Sequence, residues 1–224
     1  TDPENLKRSR IHPLNVLTAL LTYRKGRGHR GNLTWRPVPQ IADALEKAYY
    51  MSFDNVEPTG KNYLIGVDIS SSMKVSFSGN IISAHEAAAG LAMVVARTEP
   101  NYYIMGFGHS FVDLGITAAD TLKSALKKTQ GAFGSTDCAV PVQHAIQKHM
   151  DVDAFVIITD GNTWSGVEHP IQALDRYNKG RKTPAKMIQI ATEATRGSLG
   201  EGENCLDICG FDSSMMTIIN EFMS

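Results

Sequence analysis

Cysteine, long apolar runs and net charge are all scarce in this sequence, and each shortage excludes something. Three cysteines occur in 224 residues: Cys138, Cys205 and Cys209. So few thiols, odd in number, exclude a disulfide-stapled secreted scaffold; they are expected of a reduced, cytoplasmic protein. Cys205 and Cys209 stand four apart, as on one helix face, but no histidine or third cysteine joins them at the spacing of a structural zinc site. No apolar run approaches the ~20 residues a membrane helix needs, so no membrane partner is expected. No signal-peptide pattern opens the chain, and Thr1 stands where an initiator Met would, as expected of a piece of a longer protein.

Catalytic motifs are missing too. There is no G-x-S-x-G elbow, no Walker A loop, no G-x-G-x-x-G opening a helix, and no internal repeat. The seven histidines are scattered; His144 and His149 are one residue too far apart to share a helix face, and His85 reads as a hydrogen-bonded core residue. No nucleophile–base pair emerges, so no residue is assigned a catalytic role and the chain is expected not to be an enzyme.

The net charge of −1 conceals a division. Residues 1–61 hold ten lysines and arginines against six acids, and residues 62–224 hold twelve against seventeen. A basic front end is a weak pointer to nucleic acid. Its densest part runs from Arg24 to Arg30, with Trp35-Arg36 behind it. Arg24, Lys25, Arg27, Arg30 and Arg36 are therefore candidate RNA contacts, on an arm that meets phosphates and stacks a base. The plainer reading is a solvated loop between helices whose Trp35 packs on the core.

What is present centres on Tyr63-Leu64-Ile65-Gly66-Val67, an apolar run that stops at Asp68, with Ser70 and Ser72 following at alternate positions. A short apolar run of this kind reads as a strand buried on both faces. Its end is where an open parallel sheet presents ligands. One carboxylate and two hydroxyls there make a set of hard oxygen donors, suited to Mg²⁺. The same residues also suit the N-cap of a following helix. Two further stretches favour the metal: the glycine-rich loop Gly131–Asp137, which carries the Thr136 hydroxyl, and a second buried strand, Ala154–Thr159, ending in Asp160-Gly161.

From Asn62 onward strand and helix alternate, which predicts a doubly wound, mostly parallel α/β sheet with helices on both faces. Strands are expected over 62–67, 102–107, 154–159, 185–191 (near an edge) and 206–209, with an antiparallel edge strand over 111–114. Helices are expected over 81–96, 118–129, 137–150 and 170–178, then a closing helix capped by Asp212, with a loop over 195–204. Before the sheet, residues 1–10 read as a tail. Two helices follow, one carrying Leu14, Leu17, Leu20 and Leu21 and one starting at Pro39. Glu57–Lys61 is the turn-rich linker.

Asp-x-Ser-x-Ser, a later loop threonine and a still later Thr-Asp-Gly resemble the metal-ion-dependent adhesion site of von Willebrand factor A domains. The resemblance implies that Asp68, Ser70, Ser72, Thr136 and Asp160 hold Mg²⁺, or another divalent ion such as Mn²⁺ or Ca²⁺. It also implies that an acidic side chain of a protein partner completes the shell. A haloacid-dehalogenase-type phosphatase is the rival, since it too sets an aspartate after the first strand. It requires a second carboxylate two residues on as general acid, where this chain has Ser70.

The stretches Arg10–Pro13, Thr22–Gly28, Trp35–Pro37, Val56–Lys61, Gly134–Cys138 and Leu206–Asp212 resemble the Ro ribonucleoprotein autoantigen family. Its members join a helical-repeat ring, the TROVE module, to a von Willebrand A domain, and bind Y RNAs and misfolded small RNA. The resemblance implies that residues 1–60 are the last helices of the ring and 61–224 the metal-site domain. Two helices are far fewer than the ring requires, so its Y-RNA surface is expected to lie outside this chain.

Overall fold

The computed structural model describes residues 2–28, 31–74, 82–131, 135–161, 165–191, 202–211 and 214–224. Its strands are β1 (Asn62–Asp68), β2 (Asn101–Phe107), β3 (Phe111–Asp113), β4 (Ala154–Thr159), β5 (Lys186–Ala191) and β6 (Cys205–Cys209). Among the described residues they form one six-stranded sheet in the order β3-β2-β1-β4-β5-β6. All neighbours are parallel except β2 and β3. This is the expected doubly wound sheet, and its winding reverses between β1 and β4, where such folds open a ligand crevice.

The central strands are apolar throughout because helices cover both faces. Tyr63, Ile65 and Val67 join one buried cluster with Val156 and Ile158. That cluster also takes in α2 (Pro13–Lys25), α3 (Pro39–Met51), α4 (Ala84–Thr98), α5 (Leu122–Lys128) and α8 (Ser214–Met223). Leu64, Phe155 and Ile157 face the other way, onto α6 (Val140–Gln147) and α7 (Pro170–Asn178).

The front of the chain is built into this core. Leu14, Leu17, Leu20 and Tyr49 are fully buried. A Cβ on Gly90 of α4 would stand 2.1 Å from Leu17 Cδ2, so any larger residue there would push the Leu17 side chain out of its present place. The linker is tied down as well. Glu99, itself buried, accepts hydrogen bonds from Thr59 N (2.8 Å), Thr59 Oγ1 (3.0 Å) and Gly60 N (3.1 Å).

Several elements differ from expectation. Residues 3–9, read as a tail, form α1 (Pro3–Ser9), capped by Asp2 accepting from Glu4 N at 3.0 Å. α4 starts at Ala84, since Ser83 and Glu86 close a reciprocal capping box at its N-terminus. α5 and α6 are shorter than read, α5 beginning behind its Thr121 cap and α6 with Pro141 in its first turn. β5 stands near the edge as expected, with β6 paired outside it, but its Gln189 is buried. Cys205 and Cys209 lie on β6 rather than a helix, so four residues put them about 13 Å apart, too far for one ion. Asp212 and most of the loop expected over 195–204 lie outside the described residues.

Candidate metal site at the sheet edge

Val67 of β1 pairs with Ile158 of β4, so Asp68 emerges beside Thr159 and Asp160 follows at the same edge. Asp68 is 0% exposed, and Thr159 and Asp160 1% each. The Asp68 carboxylate gathers donors from three separated segments. Ser70 N reaches Oδ1 at 2.8 Å, Thr159 Oγ1 reaches Oδ2 at 3.0 Å, and Thr136 Oγ1 lies 3.3 and 3.2 Å from Oδ1 and Oδ2. Ser70 Oγ and Ser72 Oγ are 2.8 Å apart. Asp68, Ser70, Ser72, Thr136 and Asp160 thus share one corner, although Thr136 is 68 residues from Asp68 in sequence.

That meeting depends on how the Thr136 loop is held. The Thr136 carbonyl accepts from both Ser165 N and Ser165 Oγ, each at 2.8 Å. Asp137 N donates to Gly108 O at 2.8 Å, anchoring the loop to the β2–β3 turn. The Asp137 carboxylate accepts from Ala139 N at 2.9 Å and leads the chain into α6. Thr159 and Ser165 were not read as site residues from sequence. Thr159 was accessible as the strand-terminal residue of Thr-Asp-Gly, whereas Ser165 belongs to no local motif and gives no signal.

Burial pushes the Asp68 carboxyl above the usual carboxylate range. Hydrogen bonds from Ser70 and Thr159 work against that shift, and the nearby Asp160 charge adds to it. Two carboxylates so removed from water repel one another, and a cation between them relieves both costs. The donors on offer are carboxylate and hydroxyl oxygens, which fit a hard divalent ion. Among the described residues no group of three or more His, Cys, Asp and Glu converges, so no soft-ligand centre competes. Cys138 lies close by, but burial pushes its thiol well up, with Asp68, Asp137 and Asp160 adding to the shift, and it stays a protonated core residue.

The described residues of the basic front segment are bonded to one another: Gly28 N donates to Leu33 O at 2.8 Å and Trp35 N to Gly26 O at 2.9 Å, pairing the end of α2 with residues 33–35. Trp35 stacks on Tyr23 with ring centres 6.0 Å apart and donates its Nε1–H to the Tyr23 carbonyl. Arg24 pairs with Glu46 of α3, and Lys25 with Glu86 of α4 at 2.6 Å. Arg27 and Arg36 are exposed, and Arg30 lies outside the described residues. His85, read as a core residue, donates Nε2–H to Leu126 O at 2.7 Å.

Comparison with known proteins agrees with this architecture. The family model described as the Ro60 vWA domain matches residues 62–223. An RNA-binding protein RO60 of Deinococcus radiodurans is 42% identical over 227 residues, covering 99% of this chain and 43% of its own length. A Caenorhabditis elegans protein of the same name is 37% identical over 228 residues, covering 100% of this chain and 36% of its own length. The chain therefore spans less than half the length of these curated relatives. The crystal structure of the Deinococcus radiodurans RO (RSR) protein superposes with a TM-score of 0.90 at 42% identity, over 100% of this chain and 46% of that one. The sheet order, the helices placed before the sheet and these matches together make the chain a member of the Ro60 family, carrying its von Willebrand factor A domain.

Proposed function

We propose that this chain is the metal-dependent interaction domain of a Ro-type RNA-binding protein. In this reading Asp68, Ser70, Ser72, Thr136 and Asp160 hold Mg²⁺, or Mn²⁺ or Ca²⁺, and the open coordination place takes an anionic oxygen from a partner. The observation that carries it is the buried Asp68 carboxylate, on which donors from β1's exit, the Thr136 loop and β4 converge. Once bound, the ion supplies a Lewis-acidic docking point for an anionic oxygen. Ser70, Ser72 and Thr136 offer neutral hydroxyls, which leave most of the cation's charge uncompensated for that incoming anion. Ser165 and Asp137 hold the Thr136 loop over the edge and so set the approach direction.

The role is non-enzymatic. A haloacid-dehalogenase reaction needs an acid where Ser70 stands, and the Ser70 side chain already meets Ser72. We assign α2 and α3 to the end of a helical ring belonging to the longer protein, which would bind Y-RNA-like or misfolded small RNA. The names of the relatives support an RNA partner. The three thiols are consistent with a cytoplasmic setting.

Calorimetric titration of Mg²⁺ and Mn²⁺ into the chain tests the site. The unaltered chain is expected to take up one ion, and Asp68→Ala and Thr136→Ala to lose about tenfold or more in affinity. Unchanged Mn²⁺ affinity in a folded Asp68→Ala variant would overturn the reading.

A further inference from the structure

Two clefts run side by side from the metal corner toward the basic turn. The inner one, about 180 Å³, starts at Ser70 and is walled by Met73, Lys74, His85 and Gln130. The outer one, about 400 Å³, shares Lys74, His85 and Gln130 with it and continues to Lys25 and Arg27. Shared walls make them one groove, with the candidate metal at one end and the end of α2 at the other. Features that sequence reading treats as unrelated, the metal motif and the basic front segment, are thereby connected.

The charge along this groove is one-sided. Lys74 and Arg27 are exposed and make no ion pair among the described residues. Among the described residues Glu86 is the one carboxylate on the walls of the two clefts. It is already engaged by Lys25 at 2.6 Å and by Ser83 N and Oγ at 2.9 and 3.1 Å. The groove therefore presents a cation site, then Lys74, then Arg27, as successive stations for negative charge. A lone acidic side chain fills the first station and leaves the others unused. A phosphodiester strand carries one charge per unit and meets all of them. The inner cleft holds only about 180 Å³, too little to admit a helix, which is about 10–12 Å across with its side chains. The half-buried His85 ring lines both clefts and offers a base a face to stack on beside the first phosphate.

We infer that this groove is a single-stranded RNA track: one phosphate completes the metal shell, the next lies on Lys74, and the strand leaves past Arg27. The inference rests on the metal reading above for its first station, while Lys74 and Arg27 belong to neither the metal set nor the core. It assigns the open coordination place to a nucleic-acid phosphate rather than to a protein carboxylate.

Fluorescence anisotropy with a labelled short oligouridylate tests it, in Mg²⁺ and in chelator, across a salt series. Mg²⁺ is expected to tighten binding to the unaltered chain and to have no effect on Asp68→Ala. Lys74→Ala and Arg27→Ala are each expected to weaken binding and to lower the salt slope by about 1. Binding that ignores both cations, or no binding while calorimetry still shows one metal ion, overturns the track and leaves the metal reading standing. Loss of the calorimetric metal signal sinks the metal reading, and with it the first station. Displacement of the oligouridylate by polyglutamate at equal charge concentration overturns the choice of RNA over an acidic peptide.

Discussion

Asp120 shows how a half-buried side chain makes stability depend on pH in this protein. Desolvation raises its pKa, but hydrogen bonds from Lys128, Ser124 and Thr117 N outweigh that and hold it at about 2, against an ordinary 3.8. Lys128 Nζ lies 2.8 Å from Oδ1, and Thr117 N 2.8 Å from Oδ2. A carboxyl depressed in the folded state stabilises it fully above its unfolded pKa, and the contribution fades as pH falls through the folded value. Urea midpoints are therefore expected to drop between about pH 4 and pH 2, and to drop less in Asp120→Asn, which starts lower at neutral pH. Equal pH profiles for the two proteins would show that the Lys128 contact contributes nothing. At this scale the metal residues were legible, because Asp-x-Ser-x-Ser and Thr-Asp-Gly are local patterns. Ser165 was not, because its role is a bond to the carbonyl of Thr136, 29 residues away.

Among the elements, β1 sets the position of everything at the edge, and Gly66 decides how closely α6 approaches it. A Cβ there would stand 2.6 Å from Pro141 Cγ and 3.3 Å from both Ile157 Cδ1 and Phe107 Cδ1. A proline ring on a buried helix start has little room to yield. Gly66→Ala is expected to cost about 1–3 kcal/mol in urea unfolding. It is also expected to weaken divalent-ion binding, because α6 begins only four residues after Thr136. A variant with unchanged stability and ion affinity would show that α6 shifts without consequence. Strands such as β4, and the helix α7, were legible to the residue, since their apolar runs end abruptly in Thr159-Asp160 and begin at Pro170. α1 was missed because its single apolar position, Leu6, gives no stripe, although Asp2, Pro3 and the terminal Lys7 and Arg8 are all helix-end signals. β5 does lie one strand from the edge, as read, but the polarity of Gln189 was the wrong reason, since that amide is buried.

Across the whole molecule, the front helices and the sheet unfold as one body if the shared core is what holds them. Leu17 is fully buried against Gly90, and Leu14, Leu20, Tyr49 and Phe53 belong to the same cluster as Ile65 and Val156. Leu17→Ala is expected to cost about 2–5 kcal/mol and to move a single circular-dichroism transition without splitting it. Two separated transitions would show that the helices and the sheet are independent. Sequence reading requires two such helices to pack on the following domain or on chain outside this one but does not choose between them, because the union rests on contacts between segments some 70 residues apart.

The knot of bonds around Glu99 has a practical corollary for anyone cutting this gene. The match to the Ro60 vWA domain begins at residue 62, and a clone started there discards Thr59 and Gly60. The acid they satisfy is only 8% accessible, and the cut removes its donors Thr59 N, Thr59 Oγ1 and Gly60 N together. The same scissors peel α2 from α4, baring the alanine-rich flank of that helix to solvent. A truncated version should clump in the tube, and rescuing it would call for Glu99→Gln together with polar replacements along the uncovered flank.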